Sequence, residues 1–134
     1  MPVLRAETMP VRSEHDVVLV RQATRAWATA QGLGLVDQTK IVTAASELAR
    51  NALIYGGGGT AQIQLVEDGG RKGVRIVFED HGPGIPDIAA AMRDGFTTGS
   101  GLGLGLGGAK RLVNEFQIDS TPGVGTRVAI TRWN

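Results

Sequence analysis

The chain has 134 residues, a formal net charge of +1, no Cys and 42% apolar residues. This length suits a single domain over residues 1–134, and the apolar fraction excludes intrinsic disorder as the main state. The absence of Cys excludes thiol nucleophiles, zinc–thiolate sites and disulfides. Because no basic run exceeds two residues and no apolar run approaches the ~20 residues that span a bilayer, we expect a cytoplasmic protein that binds neither nucleic acid nor membrane.

The first half of the chain is predicted to form an edge strand followed by two helices. Residues 3–12 alternate loosely between apolar and polar, and Pro10 places this strand at the edge of a sheet. Ser13 begins a helix that runs to about Gln31, where glycines follow. Asp37 is a suitable N-cap for a second helix, which runs to about Tyr55 with apolar residues at helical spacing.

The second half is predicted to form two hairpins separated by a glycine-rich segment. Residues 60–67 and 73–80 alternate as an antiparallel hairpin, and a short helix is predicted at 87–92. Residues 93–107 have no periodicity. A helix from near Gly107 to Glu115, a strand at 116–120 and a closing strand at 126–132 follow. This order predicts an α/β (α+β) two-layer sandwich, with three helices on one face of a mixed sheet.

Glu47 and Asn51 lie four residues apart on the second predicted helix, so their side chains share a face. One interpretation is two solvated polar residues on an amphipathic helix. The other is a functional pair, in which the amide oxygen binds a hard cation such as Mg²⁺ and the carboxylate takes a proton. The pair alone does not decide between them.

A second polar motif, Asp80-His81-Gly82-Pro83-Gly84, follows a predicted strand. A carboxylate at a strand end can accept a hydrogen bond from the amino group of a ligand. A simple turn is the alternative. His81 is interpreted as a loop residue, because a chain with two His and no Cys offers no metal cluster.

Glycine is the compositional outlier. The chain has 20 Gly in 134 residues, and this fraction is about twice the usual ~7%. Nine of them fall between Gly82 and Gly108, and the run GSGLGLGLGG at 99–108 leads into a predicted helix. Backbone N–H groups at such a site can hold an anion. No strand is predicted directly before the run, which argues against a dinucleotide-binding domain, and the Walker A pattern also fails.

The three motifs together are more specific than any one of them. Their order is E-x-x-x-N on a helix, D-x-G-x-G after a strand, G-x-G-L-G-L before a helix, and then Gly125-Thr126. This order resembles the GHKL ATPase superfamily, whose Bergerat ATP-binding fold is shared by gyrase B, MutL and histidine kinases. Within it, the segments IVTAASELARN (41–51), EDHGPGIPDI (79–88) and DGFTT (94–98) resemble the RsbT-type switch serine/threonine kinases.

The resemblance implies a kinase that uses ATP and Mg²⁺ to phosphorylate Ser or Thr on STAS-domain scaffold or antagonist proteins of the bacterial stressosome. It also implies later release to activate a PP2C-type phosphatase. Asp80 would accept the adenine amino group with support from Thr126, Asn51 would bind Mg²⁺, and Glu47 would be the catalytic base. The remaining implied ATP-binding positions are Gly82, Gly84, Gly99, Gly101, Leu102, Gly103, Leu104, Gly105 and Gly107.

Three alternatives remain open at this stage. An anti-sigma factor kinase would share every ATP contact and differ in its partner, a sigma factor. A nucleotide-dependent docking module would bind ATP with little catalysis. An isolated histidine-kinase catalytic domain is the third, although the sequence predicts no phosphoacceptor His on a dimerisation helix.

Overall fold

An antiparallel sheet of five strands forms one layer of the protein in the computed structural model, which describes residues 2–93 and 105–134. In chain order the strands are β1 (Val3–Val11), β2 (Gly59–Asp68), β3 (Arg71–Asp80), β4 (Glu115–Thr121) and β5 (Gly125–Trp133). In space they follow the order β1-β2-β3-β5-β4. The predicted strands are therefore confirmed, and β1 lies at an edge as Pro10 indicated.

The sheet differs from the mixed sheet that the sequence predicted, because every pair of neighbouring strands is antiparallel. The pairs β2–β3 and β4–β5 are hairpins. Between β1 and β2 the chain passes through two helices, so it enters β2 in the opposite direction. β3 and β4 do run in the same direction, but β5 lies between them and is antiparallel to both.

The second layer consists of helices on one face of this sheet. Within the described ranges the helices are α1 (Glu14–Ala30), α2 (Leu35–Ile54), α3 (Ile88–Ala91) and α4 (Gly105–Arg111). The N-cap of α1 is Ser13, whose hydroxyl accepts the N–H of Asp16 at 3.1 Å. The two-layer α/β class is confirmed, with α3 as the short helix expected near residues 87–92.

Two helix boundaries differ from those that the sequence predicted. Asp37 is not the N-cap of α2, which begins at Leu35 after Gly34. Its carboxylate instead accepts bonds from the Arg132 guanidinium at 2.6 and 2.9 Å, which ties the first turn of α2 to β5. The last helix starts at Gly105 and ends at Arg111, because Glu115 already belongs to β4.

The core lies between the helices and the inner face of the sheet. Strand residues at every second position are buried there, among them Ile63, Ile76 and Ile130, and all three are 0% exposed. The same alternation continues to the ends of three strands, where Asp80 pairs with Thr126 and Thr126 with Ser120. Polar groups are therefore placed at the end of an apolar face, beneath α2.

None of the helices in the described ranges has the length and apolar character required to cross a membrane. The sequence predictions for Gly99, Gly101, Leu102, Gly103 and Leu104 lie outside the residues that the structure describes.

Ile63→Ala tests the core that supports this arrangement. Because Ile63 is fully buried in the central part of β2, we expect the free energy of unfolding to fall by about 2–5 kcal/mol. Urea denaturation followed by circular dichroism measures the change. Thr60→Ala, at an exposed position of the same strand, is the matched control. A loss similar to that of the control would show that the core is not packed as described.

Candidate functional site

A cavity of about 440 Å³ opens between α2, the inner face of the sheet at the end of β3, and the segment that follows β3. This volume lies within the range of small-molecule sites. Much of its wall is apolar, contributed by Leu48 and Ala52 of α2, Phe78 and Val128 of the sheet, and Ile85. Such a wall suits the flat, largely apolar face of an aromatic ligand.

The polar groups of the cavity are few and come from different elements. They include Glu47, Arg50, Asn51, Asp80, Asp87 and Thr126. Arg50 is the one positively charged side chain among the described lining residues. An arrangement of a few polar groups on an apolar wall is typical of sites that bind and orient a small molecule.

Glu47 lies on the cavity side of α2 and is only 8% exposed, so the alternative of a solvated polar face is wrong for this residue. Its Oε1 accepts the N–H of Gly105, the first residue of α4, at 3.1 Å. A buried carboxylate requires such a partner because its desolvation is costly. Asn51 lies one turn further along α2 and lines the same cavity.

Asp80 is the last residue of β3 and is half-buried. Its Oδ1 accepts the N–H of Gly82 at 3.0 Å. Its Oδ2 has no hydrogen bond from any residue in the described part of the chain and remains available to a ligand. A Cβ on Gly56 would lie 2.4 Å from Asp80 Cγ, so a side chain at position 56 would displace the carboxylate.

The segment after β3 is attached to the β4–β5 hairpin at two points. The Ile85 N–H donates to Ser120 Oγ at 2.7 Å, and the Gly123 N–H donates to the Pro83 carbonyl at 2.8 Å. Gly84, between them, has φ +77° and lies so close to the hairpin that a Cβ would be 2.5 Å from the Thr121 carbonyl oxygen. The cavity wall therefore depends on the hairpin that carries Thr126.

The structure brings most of the described candidate residues together. Those that line the cavity are Glu47, Asn51, Asp80, Gly84, Gly105 and Thr126. Gly82 lies behind the wall, where a Cβ would be 2.7 Å from Gly56 Cα. Gly107 is buried within α4 and is not among the lining residues.

Sequence reasoning missed three residues of this region. Gly56 belongs to the run Gly56–Gly59, and such a run does not reveal which glycine meets Asp80. Arg50 precedes Asn51, but only the helix geometry places it at the cavity. Ser120 carries a weak signal, since it faces Thr126 across a tight turn.

The described residues hold no group of three or more His, Asp or Glu side chains that could bind a metal ion by itself. Mg²⁺ fits this cavity in another way, because it is commonly held by one or two protein oxygens together with phosphates. The Asn51 amide oxygen, which lines the cavity from α2, is such a protein oxygen. The donor set therefore fits a phosphate-bound cation.

Comparison with known proteins identifies the class of this chain. Residues 36–133 match the family described as histidine kinase-, DNA gyrase B-, and HSP90-like ATPase. The match spans most of the chain, so the chain belongs to this family. The predicted Bergerat ATP-binding fold is confirmed. Within it, residues of the sequence motifs, Glu47, Asn51, Asp80 and Thr126, line the cavity.

Individual relatives narrow the class further. The chain is 50% identical over 123 residues to the serine/threonine-protein kinase RsbT of Bacillus subtilis (strain 168), covering 92% of each sequence. It is 34% identical over 104 residues to an anti-sigma F factor of Bacillus licheniformis, covering 72% of this chain and 69% of the relative. The protein is an RsbT-type serine/threonine kinase of the GHKL class, and it uses ATP.

A solved structure agrees at the level of the fold. The RsbU and RsbW domains of Rv1364c from Mycobacterium tuberculosis superpose with a TM-score of 0.66 at 24% identity. The match covers 98% of this chain and 32% of that chain. It supports the two-layer architecture described above.

Gly56→Ala tests whether the position of the Asp80 carboxylate matters for ATP. The added methyl group would collide with Asp80 Cγ, and a hydrogen bond to a charged group contributes about 1.5–3 kcal/mol. We therefore expect ATP affinity, measured by calorimetry, to fall at least about tenfold. Gly34→Ala, where a Cβ meets nothing within 4 Å, is the control. Equal ATP affinity in the two variants would show that the position of the Asp80 carboxylate does not matter for ATP binding.

Proposed function

We propose that this kinase phosphorylates Ser or Thr on STAS-domain proteins in bacterial stress signalling, in the cytoplasm, and is then released to activate a PP2C-type phosphatase. The observation that carries the proposal is the meeting of Glu47, Asn51, Asp80 and Thr126 in one cavity. The similarity to RsbT over nearly the whole chain supports the assignment to this branch of the family.

The part of the cavity that is lined by Asp80 and Thr126 would bind the adenine ring. The free Oδ2 of Asp80 is an acceptor for the exocyclic amino group, and Thr126 lies directly opposite Asp80 in the β3–β5 pairing. Phe78 and Val128 provide the apolar floor on which the ring would lie. The support for this orientation is that the acceptor and the apolar wall occupy the same end of the cavity.

The part of the cavity that is lined by Glu47, Arg50 and Asn51 of α2 would hold the triphosphate. Asn51 would bind Mg²⁺, which on binding neutralises phosphate charge and fixes the geometry of transfer. Arg50 supplies a further positive charge at the same helix. Both side chains lie on the helix that also carries Glu47, so the reacting phosphate would lie near the carboxylate.

Glu47 would act as the general base for the acceptor hydroxyl. Its Oε1 is held by the Gly105 N–H, and its Oε2 has no hydrogen bond from the described residues. Oε2 would take the proton as the hydroxyl oxygen forms a bond to the γ-phosphorus. The bond between that phosphorus and the β–γ bridging oxygen breaks, and ADP leaves.

Glu47→Gln and Asn51→Ala separate chemistry from binding. The Gln side chain keeps an acceptor for the Gly105 N–H but cannot take the proton, so phosphate transfer should fall about 10²–10⁴-fold while ATP still binds. Asn51→Ala should instead weaken the Mg²⁺-dependent part of ATP binding. Calorimetry with and without Mg²⁺ and a labelled-phosphate transfer assay measure the two effects.

Ser46→Ala is the matched control for both variants, because Ser46 lies on α2 and its hydroxyl bonds to the Val42 carbonyl of the same helix. It should change neither quantity. Transfer by Glu47→Gln at the rate of the unmodified protein would show that Glu47 is not the base.

The partner is tested with STAS-domain proteins from the same genome. We expect labelled phosphate from ATP to appear on Ser or Thr of one of them. The unmodified form should bind several-fold more tightly than the phosphorylated form, because phosphorylation adds about −1.5 to −2 charges beside the acidic Glu47 and Asp87. Equal binding of both forms would remove the release mechanism but leave the kinase assignment.

The anti-sigma F factor relatives support a second candidate, a kinase that binds a sigma factor. The same experiment distinguishes it when a sigma factor is included as a binding partner. Binding of the sigma factor together with phosphorylation of a STAS protein would favour the second candidate. Nucleotide-dependent binding without any transfer would favour a docking module.

A further inference from the structure

Arg50 is a half-buried cation that the rest of the described chain leaves without a partner. Residues 2–93 and 105–134 contain three half-buried arginines, Arg50, Arg75 and Arg132. Arg132 binds the Asp37 carboxylate, and Arg75 donates to Gln64 Oε1 at 3.1 Å. Arg50 lines the cavity but forms no ion pair or side-chain hydrogen bond within these residues. An anionic ligand would compensate its charge.

Glu47, the proposed base, precedes Arg50 by about one turn of α2, so the two side chains are close enough to pair. They form no ion pair within the described part of the chain. Glu47 Oε1 accepts the Gly105 N–H at 3.1 Å instead. The carboxylate and the guanidinium therefore lie beside each other at the cavity, and each remains available to the reacting groups.

The position of Glu47 limits where the transferred phosphoryl group can lie. A base must come within about 2.6–3.2 Å of the hydroxyl oxygen, and that oxygen must lie about 3–3.5 Å from the γ-phosphorus. The γ-phosphorus would therefore lie within about 7 Å of the Glu47 carboxylate. Because Cβ atoms three residues apart on a helix are about 5–6 Å apart, the long Arg50 side chain has the length to reach the γ-phosphoryl oxygens.

The charges of the cavity give Arg50 a role that its acidic neighbours cannot fill. The acidic lining residues are Glu47, Asp80 and Asp87, and Arg50 is the one basic side chain among the described lining residues. During phosphoryl transfer, negative charge is spread over the three equatorial oxygens of the γ-phosphoryl group. The Glu47 carboxylate repels this charge, whereas a guanidinium can bind two of the oxygens at once.

We propose that Arg50 is a further catalytic residue, which binds the γ-phosphoryl oxygens more strongly in the transition state than in bound ATP. The inference rests on the proposed function, in which Glu47 is the base. It adds a group that acts on the phosphoryl oxygens while Glu47 acts on the acceptor hydroxyl. Interactions that are stronger in the transition state raise kcat, whereas equal binding of the substrate and the transition state lowers KM without raising kcat.

A merely electrostatic role for Arg50 gives a different result. If Arg50 only offsets the negative charge of the cavity, its loss would lower the affinities for ADP and ATP to a similar extent and leave kcat unchanged. A complex of ADP with aluminium fluoride isolates the contribution to the transition state, because the metal fluoride mimics the phosphoryl group during transfer. This measurement needs no acceptor protein.

The experiment measures ADP affinity with and without aluminium fluoride, always with Mg²⁺, for the unmodified protein and for Arg50→Met. Met keeps an unbranched side chain but removes the charge. We expect the affinity for ADP alone to change little. The gain in affinity from aluminium fluoride and the kcat of phosphate transfer should each fall about 10²–10³-fold, the usual effect of removing one donor to the charge of a transition state.

Two further variants serve as controls. Arg50→Lys keeps the charge but not the planar fork of donors, so it should recover part of both quantities. Lys40→Met, on α2 but outside the described lining of the cavity, should alter neither. If circular dichroism shows that Arg50→Met is unfolded, Arg50→Gln is judged by the same two quantities.

The outcomes separate this inference from the proposed function. An unchanged kcat of Arg50→Met at saturating ATP would overturn the role of Arg50 and leave the kinase proposal standing. Equal losses of ADP affinity with and without aluminium fluoride would do the same. An unmodified protein that transfers no phosphate and does not respond to aluminium fluoride would overturn both.

Discussion

Asp80 keeps its position because the backbone around it leaves no room for additional side chains. A Cβ on Gly56 would lie 2.4 Å from its carboxyl carbon, and a Cβ on Gly125 would lie 2.1 Å from its carbonyl oxygen. The end of α2, the end of β3 and the start of β5 therefore meet at van der Waals distance. The cavity, the wall formed by Ile85 and the location of Thr126 all depend on this close approach.

α2 connects the core to the chemistry of the site. One side of the helix contributes Leu48 and Ala52 to the apolar cluster, and the adjacent side presents Glu47 and Asn51 to the cavity. The buried Glu47 carboxylate is compensated by the N–H of Gly105, where the described chain resumes after the glycine-rich segment. The first residue of α4 is thus joined to the residue proposed as the base.

The antiparallel order of the strands brings three polar side chains into one row. Asp80, Thr126 and Ser120 come from β3, β5 and β4, and the pairing places each opposite the next. Because the side chains alternate along each strand, the row continues the same face that buries Phe78 and Val128. A shift by one residue in the β3–β5 pairing would turn Thr126 away from the cavity.

Local sequence patterns determined the elements and the identity of most site residues. Alternation predicted β2 and β3, strands were also predicted at the positions of β4 and β5, and helical spacing predicted α1 and α2. The motif around Glu47 and Asn51 led to residues that the structure places in one cavity. These features depend on neighbours within one element, and the resemblance to GHKL kinases connected them. Local patterns were therefore sufficient for the class of fold and for the motifs.

Only the tertiary structure decided how the elements meet. The strand directions depend on β5 lying between β3 and β4, and Asp37 binds Arg132, which is 95 residues away in sequence, instead of capping α2. The burial of Glu47, the fit of Gly56 against Asp80 and the bonds of Ser120 likewise join residues from different elements. Sequence spacing reports periodicity within a helix or strand, whereas these contacts arise from the packing of separate segments.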